Sequence, residues 1–378
     1  MHPTTFLAPR SAAFGRTQPR LTVVIVNYNG WDDVARLVSA LARSPEVASG
    51  ACDVVVVDNA SDGLIPPLLA NPDPGVRLIA RPENGGFAAG VNTGWRASQS
   101  PWLLVLNPDV VPGADLLKEV LERLERYGSE PGSPGVVGFG LRNADGSRQP
   151  SVGAFPTLAR SVWEQLIPRA RRKYQAGWRT RSGPVSWVTG ACVLLSAQML
   201  AELGGMDEEF FLYYEEVALC RSAQRAGWRV EYDPGLEVIH LRPLQNRPIS
   251  PKLRVVTRHS KLLYFRKHLP RWQFVALSWI VSAEATMRAW GARALGRSAA
   301  DRAWRTIAWL APAMRRGAEI GGPSVRALAE AAVRPEPTTT AATRTDGSEA
   351  SRPRPAGSRR GLRAPRDLQL RKDGPECH

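Results

Sequence analysis

Cysteine is scarce in this chain: four residues (Cys52, Cys192, Cys220 and Cys377) in 378. None forms a C-x-x-C pair or a metal-finger spacing, which argues against a disulfide framework and for a reduced setting. Long apolar runs are also lacking. The stretch Phe274–Ala283 stops at Glu284 after ten residues, about half of the ~20 that a bilayer-spanning helix needs. Residues 1–20 have no apolar segment of the kind a secretory leader carries. No G-x-G-x-x-G follows the first apolar run, and no Gly-Lys-Ser/Thr closes a Gly-rich loop. A dinucleotide fingerprint and a P-loop are therefore both missing. There is no internal repeat and no base-reading module.

Charge is present but unevenly distributed. Residues 1–240 carry 23 Lys/Arg against 25 Asp/Glu, residues 241–330 carry 17 against 4, and residues 331–378 carry 10 against 6. The net charge of +15 thus comes mainly from one segment after residue 240. Such a patch suits an anionic membrane, a phosphorylated substrate or nucleic acid. Nucleic acid is the weaker expectation, because the positive charge avoids the part of the chain that carries the crevice motifs described below.

Read in order, residues 1–20 form a polar arm. Leu21–Asn27, Asp53–Asp58, Val76–Ala80 and Trp102–Leu106 are short unbroken apolar runs of the kind buried on both faces of a sheet. Helical spacing follows the first (Trp31, Val34, Leu37, Val38, Leu41) and the fourth (Asp115–Tyr127). This alternation predicts an α/β fold with a mostly parallel sheet. Val185–Leu195 reads as a strand interrupted at Gly190, and a helix begins near Glu216. A strand pair follows at Arg229–Tyr232 and Leu236–Ile239. Beyond Arg242 the pattern becomes helical and basic, with a helix expected over Ser260–His268. After residue 331 the Pro/Thr/Arg/Ser/Gly-rich tail lacks periodicity and is expected to be disordered.

The chemistry gathers at strand ends. Asn107-Pro108 stops the fourth run, since proline offers no N–H to a ladder, and leaves Asp109 just beyond it. Parallel strands expose their carboxyl ends on one edge, where ligands bind. Asn27–Asn29, Asp58 and Asp109 are therefore expected to share a crevice, and a carboxylate there can hold a divalent cation against a phosphate. Gly85, Gly86, Gly90 and Gly94 permit close backbone approach to a ligand.

NYNG (Asn27–Gly30), VVVDNASDG (Val55–Gly63), ENGGFAAGVNTG (Glu83–Gly94), LVLNPDV (Leu104–Val110) and GGMDEEFFLYYEEVALC (Gly204–Cys220), with His240 after them, resemble glycosyltransferase family 2. The rhamnosyltransferase-like branch is the nearest match. The resemblance spans residues 21–268. It implies a GT-A nucleotide-sugar-binding domain over residues 21–242, with a basic helical region at 243–330 and a tail at 331–378. By the same resemblance, Asn27, Tyr28, Asn29 and Asp58 hold the nucleoside, and Asn84, Gly85, Phe87, Asn92 and Asn107 lie near the donor. Asp109 and His240 bind Mg²⁺ or Mn²⁺, Asp207 meets the acceptor, and Glu216, next to Glu215, is the general base.

The chain departs from the family pattern at three points. Asn107 replaces the first acid of the metal motif, Glu216 stands where relatives have Asp, and Ala218 replaces a second carboxylate. A pair of acids at a helix start is also favoured by the helix dipole alone, and Asp207 suits a turn or cap.

The implied function is inverting transfer of a sugar from a nucleotide donor to a polyprenyl-diphosphate-linked or polysaccharide acceptor. L-rhamnose from dTDP-L-rhamnose is favoured, and UDP-sugars or a binding-only relative are the alternatives. The setting would be cytoplasmic and peripheral at the inner face of the plasma membrane, with Arg258, Lys261, Arg266 and Lys267 meeting anionic lipid.

Overall fold

The computed structural model describes residues 18–127, 133–163, 181–243 and 248–334. Nearly all of the N-terminal arm and the expected tail from residue 335 onward lie outside these residues.

The first half alternates as the apolar runs require: β1 (Leu21–Asn27), α1 (Trp31–Ala42), the single turn α2 (Pro45–Ala48), β2 (Cys52–Asp58), a second single turn α3 (Pro67–Ala70), β3 (Val76–Ala80), α4 (Phe87–Arg96) and β4 (Trp102–Leu106). Then come β5 (Val110–Val111), α5 (Leu116–Leu124), β6 (Pro134–Arg142), β7 (Arg148–Gln149), β8 (Val152–Gly153), α6 (Leu158–Trp163), β9 (Gly183–Pro184), β10 (Trp187–Val188) and β11 (Cys192–Ser196). The sheet domain ends with α7 (Ala197–Leu203), α8 (Glu215–Arg225) and β12 (Arg229–His240). Four further helices follow: α9 (Pro251–His268), α10 (Arg271–Ala294), α11 (Ser298–Arg315) and α12 (Gly322–Ala331).

The main sheet runs β3-β2-β1-β4-β11-β6-β12-β5. The β3-β2-β1-β4 part is parallel, as the sequence suggests. β11 then enters antiparallel to both β4 and β6, and β12 returns parallel to β6. The sheet is thus mixed beyond β4, within the α/β architecture expected of a GT-A domain.

Successive strand side chains point to opposite faces, and the core divides accordingly. Leu21, Val23 and Ile25 of β1 join one cluster with Val34, Leu37, Leu116 and Val120. Val24 and Val26 join the other with Ala88, Val91, Val217 and Leu262. This second cluster continues through Leu277, Ile307 and Val325. α9 to α12 therefore complete the face that α4 and α8 begin.

Arg229–His240 is one strand rather than the expected pair. Its register against β6 shifts between Asp233 and Glu237, so the Asp-Pro-Gly that reads as a hairpin turn is a bulge instead. Asp233 anchors it, accepting from Gly235 N (2.9 Å) and from Arg123 Nε (2.9 Å).

Candidate active site

The sheet order places a topological switch point between β1 and β4, because the chain goes from β1 to β2 on one side and returns to β4 on the other. Ligands gather outside such points. In register, Asn27 pairs with Asp58, and Ile25 with Leu106. The expected residues therefore do emerge along one edge. Asp58 and the Asn107–Asp109 turn stand two strand spacings apart, roughly 10 Å.

On the β1–β2 side the polar groups hold one another. Asn27, fully buried, donates from Nδ2 to Asp58 Oδ1 (3.0 Å) and Ser61 Oγ (3.1 Å), and its Oδ1 accepts from Gly30 N (3.0 Å). Asn29 has a left-handed φ of 56° and donates from its backbone N to Ser61 Oγ (2.7 Å). Tyr28, 42% exposed, stands at the mouth. Asn27, Asn29 and Asp58, whose Oδ2 accepts from Ser61 N (3.2 Å), thus shape the turn, and Tyr28 is the exposed side chain among them.

The Gly85–Phe87 loop, which the resemblance sets near the donor, is held from the opposite side. Asn84 Oδ1 accepts from Gly86 N (3.0 Å), and Asn59 Nδ2 donates to Gly86 O (2.8 Å). Gly86 has φ +94°, and a Cβ there would lie 2.1 Å from Phe211 O. Only glycine fits this approach. Phe87 N, the first of α4, donates to the same Phe211 O (3.0 Å).

Asp109 and His240 meet across the antiparallel β5–β12 ladder, where His240 pairs with Val110. His240 Nε2 lies 3.3 Å from Asp109 Oδ1, and both side chains are largely buried. A carboxylate and an imidazole at this spacing suit one divalent cation. Among the described residues no group of three or more His, Cys, Asp or Glu could hold a metal. A cation held here would take two ligands from the pair and the rest from other oxygens. Gln149 Nε2 sits 2.9 Å from His240 Nδ1, while Gln149 Oε1 is buried with no partner. Turning that amide over would seat Oε1 on an Nδ1–H and present the Nε2 lone pair to a cation. The residues present therefore fit the metal.

Glu215 and Glu216 occupy the first turn of α8 and are buried. Tyr213 and Tyr214 before them both have left-handed φ, 65° and 71°. Such strain in non-glycine residues concentrates at functional sites. A Cβ on Gly190 would stand 3.4 Å from the Phe87 ring and 3.9 Å from Glu216 Cβ. The next residue, Ala191, accepts from Asn107 N (2.9 Å). One dipeptide, Gly190–Ala191, thus links the donor loop, the Asn107–Asp109 turn and Glu216. Glu216 also borders a cavity of about 10 Å³ with Val193, Leu219 and Cys220, room for at most one water.

Residues 22–204 match the family model for glycosyl transferase family 2. The chain carries a glycosyltransferase family 2 domain. The N-acetylglucosaminyl-diphospho-decaprenol L-rhamnosyltransferase of Mycobacterium tuberculosis is 26% identical over 287 residues, covering 71% of this chain and 91% of that enzyme. Rhamnosyltransferase WbbL of Escherichia coli K12 is 24% identical over 172 residues, 45% of this chain and 63% of WbbL. Among solved structures, mannosyltransferase PcManGT of Pyrobaculum calidifontis with GDP-Man and Mn²⁺ is similar at 17% identity and a TM-score of 0.43, covering 84% of this chain and 74% of that one.

Two residues of the glycosyltransferase motifs are engaged in hydrogen bonds within the fold. Asn92, buried on α4, donates to Met206 O and Glu208 Oε1 (both 2.8 Å) and accepts from Met206 N (2.8 Å), tying α4 to the 205–208 turn. Asp207 accepts from Lys267 Nζ (2.6 Å), which also meets Glu209. Burial works against the Lys267 charge, but these two hydrogen bonds outweigh it and raise the pKa. The ammonium therefore stays paired at neutral pH.

The other basic residues expected at a membrane are also engaged within the fold. Arg258 pairs with Glu284 (2.8 Å) and lies over the Trp304 ring. Arg266 donates to Ala318 O (2.9 Å), and Lys261 is half-buried.

Sequence reasoning did not find Asn59, Ser61, Gln149 or Arg242. The first two lie inside the recognised VDNASDG segment. Gln149 sits on a two-residue strand with no pattern of its own. Arg242 pairs with Asp33 and approaches Asp109 Oδ2 at 3.8 Å, and its signal was only its place two residues after His240.

Proposed function

We propose that this glycosyltransferase domain moves a sugar with inversion from a nucleotide donor, dTDP-L-rhamnose, to a polyprenyl-diphosphate-linked or polysaccharide acceptor in surface-glycan synthesis. A UDP-sugar is the alternative donor. The observation that carries this reading is the Gly190–Ala191 junction, which sets Glu216 beside the donor loop and the Asn107–Asp109 turn. The decaprenol-linked substrate in the name of the M. tuberculosis relative supports a lipid-linked acceptor.

In this mechanism Asp58 and Tyr28 orient the nucleoside, and the Gly85–Phe87 loop lies along the diphosphate. Glu216 takes the proton of the acceptor hydroxyl, whose oxygen bonds the anomeric carbon as the bond from that carbon to the diphosphate oxygen breaks. Asp109 and His240 would hold Mg²⁺ or Mn²⁺, which supplies positive charge for the leaving diphosphate. Arg242, beside Asp109, adds a guanidinium at the same end by exchanging Asp33 for phosphate oxygens. The acceptor's lipid places the enzyme at the inner face of the plasma membrane. Among the described residues no helix is long and apolar enough to cross a bilayer, and the contact proposed is a peripheral one.

Calorimetry of the full chain against dTDP-rhamnose, UDP-galactofuranose, UDP-N-acetylglucosamine and the free nucleotides, with and without Mn²⁺, tests the reading. One nucleotide sugar should bind with metal and fail with Asp109→Ala. Arg242→Ala should weaken nucleoside diphosphate binding while leaving the bare nucleoside unchanged. If no nucleotide sugar binds under any metal, the reading is wrong.

A further inference from the structure

α10 is apolar on both of its sides. Phe274, Leu277, Val281 and Ala285 form the inward line and are buried in the core. The outward line carries Trp272, Trp279, Met287 and Trp290, which are 64%, 60%, 69% and 77% exposed. Trp272, Trp279 and Trp290 are seven and eleven residues apart, and at about 100° per residue they stay within about 20° of one line. A helix on a water-facing surface shows a polar outer side, and one that is apolar all round is shielded from water. Trp309 of α11, 54% exposed, adds a fourth ring.

Charge identifies what shields this line. Residues 271–316 hold eight Arg, no Lys, and two acids, Glu284 and Asp301, for a net of +6. Arg271, Arg293, Arg297 and Arg316 are exposed, and Arg315 stacks on the Trp279 ring 3.7 Å from its centroid. Beside Trp290 a groove of about 520 Å³ between α10 and α11 is lined by Ala289 and Ala308, by Arg293, and by Arg305 paired with Asp301 (3.0 Å). Apolar walls together with guanidinium groups fit an acyl chain and its phosphate headgroup. Tryptophan favours the membrane–water interface, where an apolar ring and a polar N–H are both served. Docking two copies through this face would set +6 against +6, whereas an anionic bilayer complements it.

We propose that the tryptophan-bearing outer face of α10 and α11 is the surface by which this protein lies on an anionic lipid bilayer, parallel to the membrane plane. The proposal rests on the lipid-acceptor reading for its purpose but not for the binding itself. It moves the membrane contact away from Arg258, Arg266 and Lys267, which the fold has engaged, and onto residues that α10 and α11 leave open. Each guanidinium near such a surface strengthens partitioning about fivefold.

Co-sedimentation of the full chain with phosphatidylcholine vesicles, with and without 30% phosphatidylglycerol, is the test. Wild type should partition onto the anionic vesicles, more weakly in 0.5 M salt. Trp272→Ala/Trp279→Ala/Trp290→Ala should lose at least tenfold, and Arg293→Gln/Arg297→Gln/Arg316→Gln should lose the preference for anionic lipid. Circular dichroism and donor binding should be unchanged in both variants. Unchanged partitioning of the folded tryptophan variant, or its conversion of an oligomer to a monomer with no effect on vesicles, would overturn the proposal. Donor binding by a wild type that ignores vesicles would refute this surface and leave the transferase reading standing. Vesicle binding without any nucleotide-sugar binding would do the reverse.

Discussion

Acid should loosen this protein in part through His259 of α9. Its ring is fully buried, and Nε2 donates to Ile320 O at 2.6 Å. Nδ1 is buried with no partner, so protonating it puts an unsolvated charge inside the core. Burial lowers the pKa from 6.5 to about 4, with the Arg266 charge adding to the effect and the Ile320 bond and Glu209 opposing it. In the unfolded chain the imidazole titrates near its ordinary value. The folded state therefore resists a proton that the unfolded state accepts. The contribution is intact above about pH 6.5 and is lost as pH falls toward 4.

Linkage between the two pKa values gives about 0.2 kcal/mol lost at pH 7 and about 2 kcal/mol at pH 5. Urea unfolding of the full chain at the two pH values, for wild type and His259→Gln, measures it. The glutamine amide can still donate to Ile320 O but does not titrate. Wild type should lose about 2 kcal/mol more than the variant between pH 7 and pH 5. His268, also lowered to about 4 chiefly by burial, is present in both chains and cancels. Parallel losses in the two proteins would refute the argument.

Glu216→Gln should lower kcat by roughly 10²- to 10⁴-fold, the usual range for a general base, with donor Kd unchanged by calorimetry. A kcat within threefold of wild type would remove Glu216 from the chemistry. Gly86→Ala combines a left-handed φ with a Cβ 2.1 Å from Phe211 O, and should cost at least about 2 kcal/mol in denaturant unfolding. The same variant should weaken donor binding about tenfold or more, and a stability change under about 0.5 kcal/mol would show that the loop tolerates a side chain there.

The four parallel strands were legible because each is an uninterrupted apolar run, and Asp109 and His240, which the resemblance groups together, come within 3.3 Å of one another. β6 was not legible. Its PGVVGFGLR sequence is diluted by glycine, yet a Cβ on Gly138 would fall 2.5 Å from Val188, so the dilution is what lets the layers close. The Asp233-Pro234-Gly235 turn signal was real, but β6 offered a continuous partner and absorbed it as a bulge. Basic residues of α9 read as a lipid-facing patch, since nothing in a sequence shows that Glu284, Glu209 and Asp207 stand opposite them. The α10 tryptophans were visible as letters but not as one line, because the inward face is apolar too and blurs the helical period.

The donor loop is finished by the far end of the chain. Arg326 Nη1 donates to Asn84 O (3.2 Å) across 242 residues of sequence. A Cβ on Gly322 would stand 3.6 Å from Gly85 O. A ribosome that has delivered the whole sheet has therefore not yet delivered the brace on this loop. The loop stays unbraced until α12 emerges, since such long-range closures are made late. A chain ended within α12 before residue 326 loses this bond to Asn84 O.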